Sequence, residues 1–364
     1  MIKFNFFLEQ SVSNDVQKDK LDNFILQLKS KKVLQFYKEV FKYNFEDTFI
    51  FFSSDSFDLI YSSESVFINI LNLEKINHIR RINKFLESVN QKLEYNGIFA
   101  CSVETYSNRK NAIKSKYPFL INYLFITIDF FFHRVLPKLK LTQKFYFYLT
   151  NGRNRVLSRA ETLGRLYSCG FEVLLEREIN NELYFVARKI GNPSFDMEPT
   201  YGPLIKLRRI GKDGKVFKVY KLRTMYPYSE YLQDYVFKYH QLDEGGKFKD
   251  DFRVSPIGRF FRKFWLDEIP MIWNLVKGDM KLIGVRPLSS QYFNLYTKEL
   301  QEIRVKTKPG LLPPFYADMP KTLDEIMASE MKYLLAYEKA PLTTDLRYLS
   351  LIIKNILFRG ARSK

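Results

Sequence analysis

Between Tyr117 and Leu136 the chain reads YPFLINYLFITIDFFFHRVL, and this segment restricts the fold more than any other. Pro118 suits a first helical turn, and Pro137 stops the helix. Asn122, Asp129 and His133 fall at i, i+7 and i+11, so they share one narrow face. Nearly every other position is Phe, Leu, Ile or Tyr. A helix apolar around most of its circumference needs burial on almost every side. Lys114 and Lys116 precede it; Arg134, Lys138, Lys140 and Lys144 close it or follow. One reading is a core helix. The preferred reading is an in-plane helix on an anionic membrane surface, with Phe125, Phe130, Phe131 and Phe132 in the acyl boundary and Lys138 and Lys140 on lipid phosphates. No uninterrupted apolar run reaches the ~20 residues of a membrane span.

Charge points the same way. The chain carries 58 basic and 40 acidic residues, a net +18, and residues 101–160 alone hold 11 basic against 2 acidic. Such an excess implies anionic partners: phosphorylated substrate, acidic lipid or nucleic acid. Nucleic acid is excluded on pattern, because the aromatics form apolar runs and not spaced stacking positions. Cys101 and Cys169 have no metal or redox spacing and read as reduced thiols. His78, His133 and His240 are scattered, which argues against zinc. The N-terminal residues, with early acids and a very short apolar stretch, do not read as a signal peptide.

The first half alternates strands and helices. Thr48–Phe52, Ser65–Leu71 and Ile98–Val103 are strand-like, with a helix from about Ile76 to Leu93 and a turn at Asn96-Gly97. Ala160–Cys169 reads as a helix ended by Gly170, followed by a hairpin of Phe171–Leu175 and Leu183–Arg188. This order predicts an α/β sandwich with a mainly parallel sheet. The stretch Asn77–Thr105 and the closing Gly170–Arg188 hairpin resemble the back half of class I SAM-dependent methyltransferases, a Rossmann-like fold. Residues 1–95 contain no glycine, so that family's glycine-rich cofactor loop has no counterpart. The expectation is a degenerate, scaffolding domain over residues 1–190, then a Gly/Pro-rich linker over 191–203.

From residue 204 the pattern changes. Leu204–Ile210 and Val216–Leu222 flank Gly211-Lys212-Asp213-Gly214, a β-hairpin signature, ending in Lys221-Leu222-Arg223-Thr224-Met225. Asp250-Asp251-Phe252-Arg253 follows, then Ser255-Pro256 opening a short helix with Arg259, Arg262 and Lys263. Next come Leu266-Asp267-Glu268-Ile269-Pro270, starting a helix to Val276, and Gly278-Asp279-Met280-Lys281-Leu282-Ile283-Gly284-Val285-Arg286-Pro287. Lys308-Pro309-Gly310 completes the series. Taken in order over about 160 residues, these motifs resemble the bacterial sugar transferase family, the monotopic polyprenyl-phosphate phosphoglycosyl transferases.

The resemblance implies a smaller α+β catalytic domain at 204–364, with a β-hairpin and amphipathic helices. It implies transfer of a sugar 1-phosphate from a UDP-sugar to a membrane polyprenyl phosphate. Asp267 matches the nucleophile that forms an aspartyl-phosphosugar, and Glu268 matches a ligand of Mg²⁺. Lys221, Arg223, Arg253, Arg262 and Arg286 match positions that bind substrate phosphates, for which arginine forks are well suited. Asp267 and Glu268 in a first helical turn also meet backbone N–H groups that favour ionised carboxylates. The implied setting is the cytoplasmic face of the bacterial inner membrane, in exopolysaccharide or lipopolysaccharide assembly, as a homo-oligomer or beside a membrane partner protein.

The sequence departs from that family where a membrane-dipping helix should precede the hairpin; here Ile190–Tyr201 is polar. Trp265 replaces a small hydroxyl cap, Val285 replaces a proline, and Leu311–Tyr316 replaces the family's Thr-Gly and following Gln. A catalytically silent scaffold of a polysaccharide assembly complex is the alternative, and a SAM-dependent methyltransferase a weaker one. The segment Asp345–Arg362 reads as an amphipathic helix that lies on lipid or packs on the domain.

Overall fold

The computed structural model describes residues 22–41, 47–52, 66–195, 202–239, 242–243, 247–248 and 251–359. Ser65, His240, residue 250, linker residues 196–201, the basic tail 360–364 and the Lys140 side chain lie outside the described residues. The chain divides into two units. One comprises residues up to Tyr201 together with Pro227–Asp234; the other comprises Gly202–Tyr226 and Tyr235–Lys364.

The first unit is built on a five-stranded sheet, in the order β1 (Thr48–Phe51), β2 (Phe67–Lys75), β3 (Leu93–Val103), β5 (Glu182–Lys189), β4 (Phe171–Ile179). β1, β2 and β3 are parallel, while β5 pairs antiparallel with both β3 and β4. The sheet is therefore half parallel and half antiparallel, short of the mainly parallel sheet expected. Alternate residues serve opposite faces. Ile50, Leu71, Leu73, Ala100, Tyr184 and Val186 meet α1 (Lys31–Val40) through Phe36 and Tyr37. On the other face Phe51, Phe99, Phe171 and Phe185 form an aromatic chain continued by Phe85 of α2 (Ile82–Lys92). Both faces are covered, as a sheet with parallel strands requires.

Two local expectations are corrected. The helix from Ile76 is a 3₁₀ turn, Ile76–His78, and α2 begins only at Ile82. Asn77 explains the break: its buried side chain donates to the carbonyls of Glu104 and Arg155 and accepts from the Glu104 N–H, fixing a bend. Asn96-Gly97 is no turn. β3 runs through it from Leu93, with Asn96 at φ 66° and three more residues on β3 than on β2 between the pairs Phe67↔Leu93 and Asn69↔Ile98, so the pairing absorbs them as a wide bulge.

Beyond β3 come α3 (Tyr106–Lys116) and α4 (Phe119–Phe130). The helical path continues through a π turn, Phe131–Val135, and a 3₁₀ turn, Leu136–Lys138, before α5 (Lys140–Thr150). Phe119–Lys138 is long and apolar enough, by length and composition alone, to cross a membrane, and 17% of its most apolar window is buried. The sequence reading had judged no run that long, because polar residues interrupt it. Those residues turn inward. Asn122 is buried, Asp129 takes the Arg109 guanidinium at 2.8 and 2.6 Å, and His133 Nδ1 meets Tyr146 Oη at 3.2 Å. Lys138 is also corrected: with Arg134 it reaches Glu161 of α6 (Arg159–Ser168), at 3.0 and 3.1 Å, and not a lipid phosphate. Burial pushes the Glu161 carboxyl up, but Lys138, Arg134 and Arg165 outweigh it and hold the group well below the usual range. Of the four phenylalanines, Phe125 and Phe131 are exposed; Phe130 and Phe132 are half-buried against Tyr106 and Tyr146.

Pro227–Asp234 completes this unit. Tyr228 takes a left-handed conformation (φ 64°), with the Arg165 guanidinium 4.5 Å from its ring centre and its hydroxyl accepting from Asn83. Gly164 makes the fit possible, because a Cβ there would meet the Tyr228 carbonyl oxygen at 2.2 Å.

In the second unit, β6 (Leu204–Ile210) and β7 (Val216–Leu222) form the expected hairpin around Gly211–Gly214, in register from Leu204↔Leu222 to Ile210↔Val216. α7 (Pro256–Lys263), α8 (Ile272–Val276), β8 (Lys281–Ile283), α9 (Lys298–Val305) and β9 (Gly310–Leu312) follow, with β8 and β9 parallel. α10 (Leu323–Lys339) and α11 (Pro341–Phe358) close a core containing Tyr333, Leu334, Tyr348 and Ile352. α11 is amphipathic and packs on the domain: Tyr348 and Ile352 are buried, while Leu342, Leu346 and Leu357 are exposed.

Gly164→Val is expected to destabilise the first unit by about 1–3 kcal/mol, the usual range for overpacking. Chemical denaturation monitored by intrinsic fluorescence measures it, and an unchanged midpoint contradicts the packing described for Tyr228.

Candidate active site

The site belongs to the second unit, and it starts with a helix whose place is set from a strand end. Ser255 caps α7: its Oγ accepts from the Gly258 N–H at 3.0 Å, while its own N–H and hydroxyl donate to the Thr224 carbonyl. A Cβ on Gly258 would sit 1.9 Å from that same carbonyl oxygen, so only glycine permits this approach. Arg262, one turn on, points back and donates from Nε to the buried Thr224 Oγ1 at 3.0 Å. One residue thus fixes both ends of α7.

α7 ends at Lys263, and Trp265 adopts φ 54°. A bulky residue in this region costs about 1–2 kcal/mol. Its indole offsets that cost by donating to Tyr316 Oη at 3.2 Å and by packing edge-on against the Tyr316 ring. The chain then enters a 3₁₀ turn, Leu266–Met271, with Asp267 and Glu268 in its first turn and Pro270 inside it. The sequence had placed both acids there, in an ordinary helix start.

Asp267 is 6% exposed, and its Oδ1 has no hydrogen-bond partner among the described residues. Burial raises its carboxyl above the ordinary value; Lys221 opposes the rise, Glu268 adds to it, and Arg262 opposes it again. Glu268 pairs with Lys221 Nζ at 2.6 Å. Lys221 is held over the turn by β7, which is stapled to α8: buried Asn274 accepts from the Tyr220 N–H at 3.1 Å and donates to the Lys218 carbonyl at 2.8 Å.

The five basic positions separate into two groups. Lys221 and Arg262 act on Asp267, and the exposed Arg286 lies within electrostatic reach of Arg262. Arg253 is instead buried in a fork with Asp251, Nε–Oδ1 at 2.9 Å and Nη2–Oδ2 at 2.8 Å, and that pairing holds the Asp251 carboxyl below its usual range despite burial. Arg223 faces the start of the hairpin, donating to the Gly202 carbonyl at 2.9 Å. The structure adds residues that the motifs did not single out. Arg209 of β6 is close enough for Arg286 to depress its pKa alongside burial. Arg304 of α9 donates to the Arg286 carbonyl at 2.6 Å and pairs with buried Glu330. Thr224 had a signal in the sequence, as the polar residue after the Lys-x-Arg of the hairpin end; Arg304 and Glu330 had none.

Among the described residues no three His, Cys, Asp or Glu side chains cluster as metal ligands. Mg²⁺ needs fewer, since it is commonly held by one or two carboxylates plus substrate phosphates and water. Lys221 engages Oε1 of Glu268, and Oε2 together with the partnerless Asp267 oxygen is a donor set of that kind.

Residues 196–359 match the family profile described as bacterial sugar transferase. Among curated proteins, the galactosyl transferase CpsE of Streptococcus agalactiae is 31% identical over 162 residues, covering 43% of this chain and 35% of that protein. The UDP-galactose-lipid carrier transferase of Erwinia amylovora is 33% identical over 134 residues, 35% of this chain and 26% of the relative. The undecaprenyl-phosphate galactose phosphotransferase of Salmonella typhimurium is 36% identical over 109 residues, 29% and 23% respectively. The chain thus spans about a quarter to a third of these relatives' lengths.

Thr224→Val, nearly isosteric, leaves the half-buried Arg262 Nε without this partner and should lower the stability of the second unit by about 0.5–1.5 kcal/mol, the net contribution of one hydrogen bond. Urea unfolding measures it. A variant as stable as the parent shows that α7 does not depend on this bond.

Proposed function

Because residues 196–359 belong to the bacterial sugar transferase family, we propose that the protein transfers a sugar 1-phosphate from a UDP-sugar to a polyprenyl phosphate, starting a lipid-linked glycan. The observation that carries this reading is Asp267: a buried carboxylate with one oxygen unpartnered, at a helix start, under the charges of Lys221 and Arg262. Such a group is placed to attack phosphorus. In the first step an Asp267 oxygen bonds to the phosphate next to the sugar and the bond to UMP breaks. In the second, the lipid phosphate oxygen displaces the carboxylate, and Asp267 is regenerated. Dividing the displacement this way replaces one encounter between two anions with two assisted ones. Lys221, Arg262 and Arg286 counter the diphosphate charge. Mg²⁺, held by Glu268 and phosphate oxygens, would supply further charge neutralisation at the departing UMP. Two of the relatives carry galactose in their names, which makes UDP-galactose a first donor to test.

A polyprenyl phosphate acceptor and a nucleotide-sugar donor together support a reaction at the cytoplasmic face of the bacterial inner membrane. The first unit is read as a methyltransferase-like scaffold that has no cofactor role; its closing antiparallel hairpin, β4–β5, and the glycine-free first 95 residues support that reading.

Incubation with UDP-sugars, undecaprenyl phosphate and Mg²⁺ should release UMP, and Asp267→Asn should slow release by at least about three orders of magnitude. Equal rates for the two proteins rule out Asp267 as the nucleophile. The pH profile supplies a second check. Burial raises the Asp267 pKa, so the active ionised form is lost on acidification at a higher pH than an ordinary aspartate allows. Lys221→Met removes a charge that lowers this pKa, so its acid limb should move further up in pH. A limb that stays in place, or moves down, contradicts the electrostatics given for the site.

A further inference from the structure

The outer surfaces of α4 and α5 in the first unit expose large apolar side chains that the proposed reaction does not use. Leu120, Leu124 and Phe131 stand on one stripe of the α4 path and Leu141, Phe145 and Tyr148 on one stripe of α5. Leu120 is 81% exposed and Leu141 93%. Large apolar side chains left exposed together on two successive helices of a folded chain mark an interaction site. We infer that this surface seats the first unit on an anionic lipid bilayer, in the plane of the interface. The inference rests on the transferase reading only for its purpose, which is to bring the enzyme to a lipid-borne acceptor.

Two observations select lipid as the occupant. The first is where the polar groups go. Asp129, His133, Arg134 and Lys138 are all engaged on the inner side, by Arg109, Tyr146 and Glu161, and the Arg134 guanidinium also donates to the Val156 carbonyl at 2.7 Å. The buried Glu161 holds three cations at once, Arg134, Lys138 and Arg165, and so ties the end of the α4 path to α6. On the outer side of α4 the hydrogen-bonding groups are the Tyr123 hydroxyl and Thr127, which bonds back to the Tyr123 carbonyl; on α5, Gln143 and Lys144 are exposed beside the apolar residues. Tyrosine at such a boundary keeps its hydroxyl at headgroup depth. The second observation is charge. Residues 106–150 hold eight Lys or Arg and a single acid; Arg109 pairs with that acid, Asp129, and Arg134 and Lys138 pair with Glu161, so the remaining five are all lysines. Lys114, Lys116 and Lys144 are exposed beside the apolar stripes. Exposed lysines around an apolar face complement lipid phosphates at an anionic surface. A second copy of this chain would bring the same uncompensated cations face to face.

The test is flotation of the full-length protein with vesicles of phosphatidylethanolamine and phosphatidylglycerol, and with phosphatidylcholine vesicles alone. The parent should float with the anionic vesicles and about tenfold less with the neutral ones. The combined variant Leu120→Glu, Leu124→Glu, Phe131→Glu should lose at least tenfold of the bound fraction. Its far-UV circular dichroism should stay that of the parent, because these side chains are exposed. A matched variant on α11, Leu342→Glu, Leu346→Glu, Leu357→Glu, should keep most of it. Undiminished flotation of the α4 variant overturns the inference. So does a parent that fails to float and is instead a dimer by light scattering, dispersed by the α4 substitutions. Flotation needs no turnover, so a protein that docks without releasing UMP counts against the transferase reading alone.

Discussion

Asp267 is buried where water cannot stabilise its charge, and that cost is what the surrounding architecture of the second unit has to offset. Desolvation alone drives a carboxylate towards its neutral form. Lys221 and Arg262 oppose that drift, and neither is anchored on the turn that carries Asp267. Lys221 rides on β7, whose position depends on Asn274 of α8. Arg262 rides on α7, whose position depends on Thr224. The ionisation of one side chain is thus a property of a hairpin, two helices and the left-handed residue Trp265 that lets the turn begin.

This dependence separates the basic residues of the site by role. A guanidinium already saturated by a carboxylate fork, as Arg253 is by Asp251, contributes little net charge to an incoming diphosphate. It shapes the loop before α7. A cation held by neutral partners keeps its charge available: Arg262 on a hydroxyl is of this kind, and exposed Arg286 is positioned through its backbone carbonyl by Arg304. Residue type and motif position do not distinguish these cases. The partner does.

The first unit answers a different physical problem with similar means. A helix path rich in Phe, Leu and Ile must also accommodate Asp129, His133, Arg134 and Lys138. Turning all four inward onto Arg109, Tyr146 and Glu161 satisfies them and leaves the apolar residues outside. The π turn at Phe131–Val135 lies where Phe132, His133 and Arg134 make these contacts. The same unit also encloses Tyr228, which belongs in sequence to the stretch following the hairpin.

Short-range chemistry was legible in the sequence. Glycine turns and alternation gave the hairpin at Gly211–Gly214, Gly170 ended a helix, Ser255-Pro256 began one, and Asp267 and Glu268 were placed in a first turn. Each depends on backbone preferences or on neighbours a few residues away. The tertiary structure alone decided whatever depends on distant partners. Asn77 breaks a helix by bonding residues 27 and 78 positions away, and a strand pairing turns Asn96-Gly97 from a turn into a bulge. Lys138 faces Glu161 instead of solvent, and Arg253 is closed off while Arg262 is not. Charge and period are written locally along a chain, whereas the partner that neutralises or buries a group is fixed only when remote segments meet.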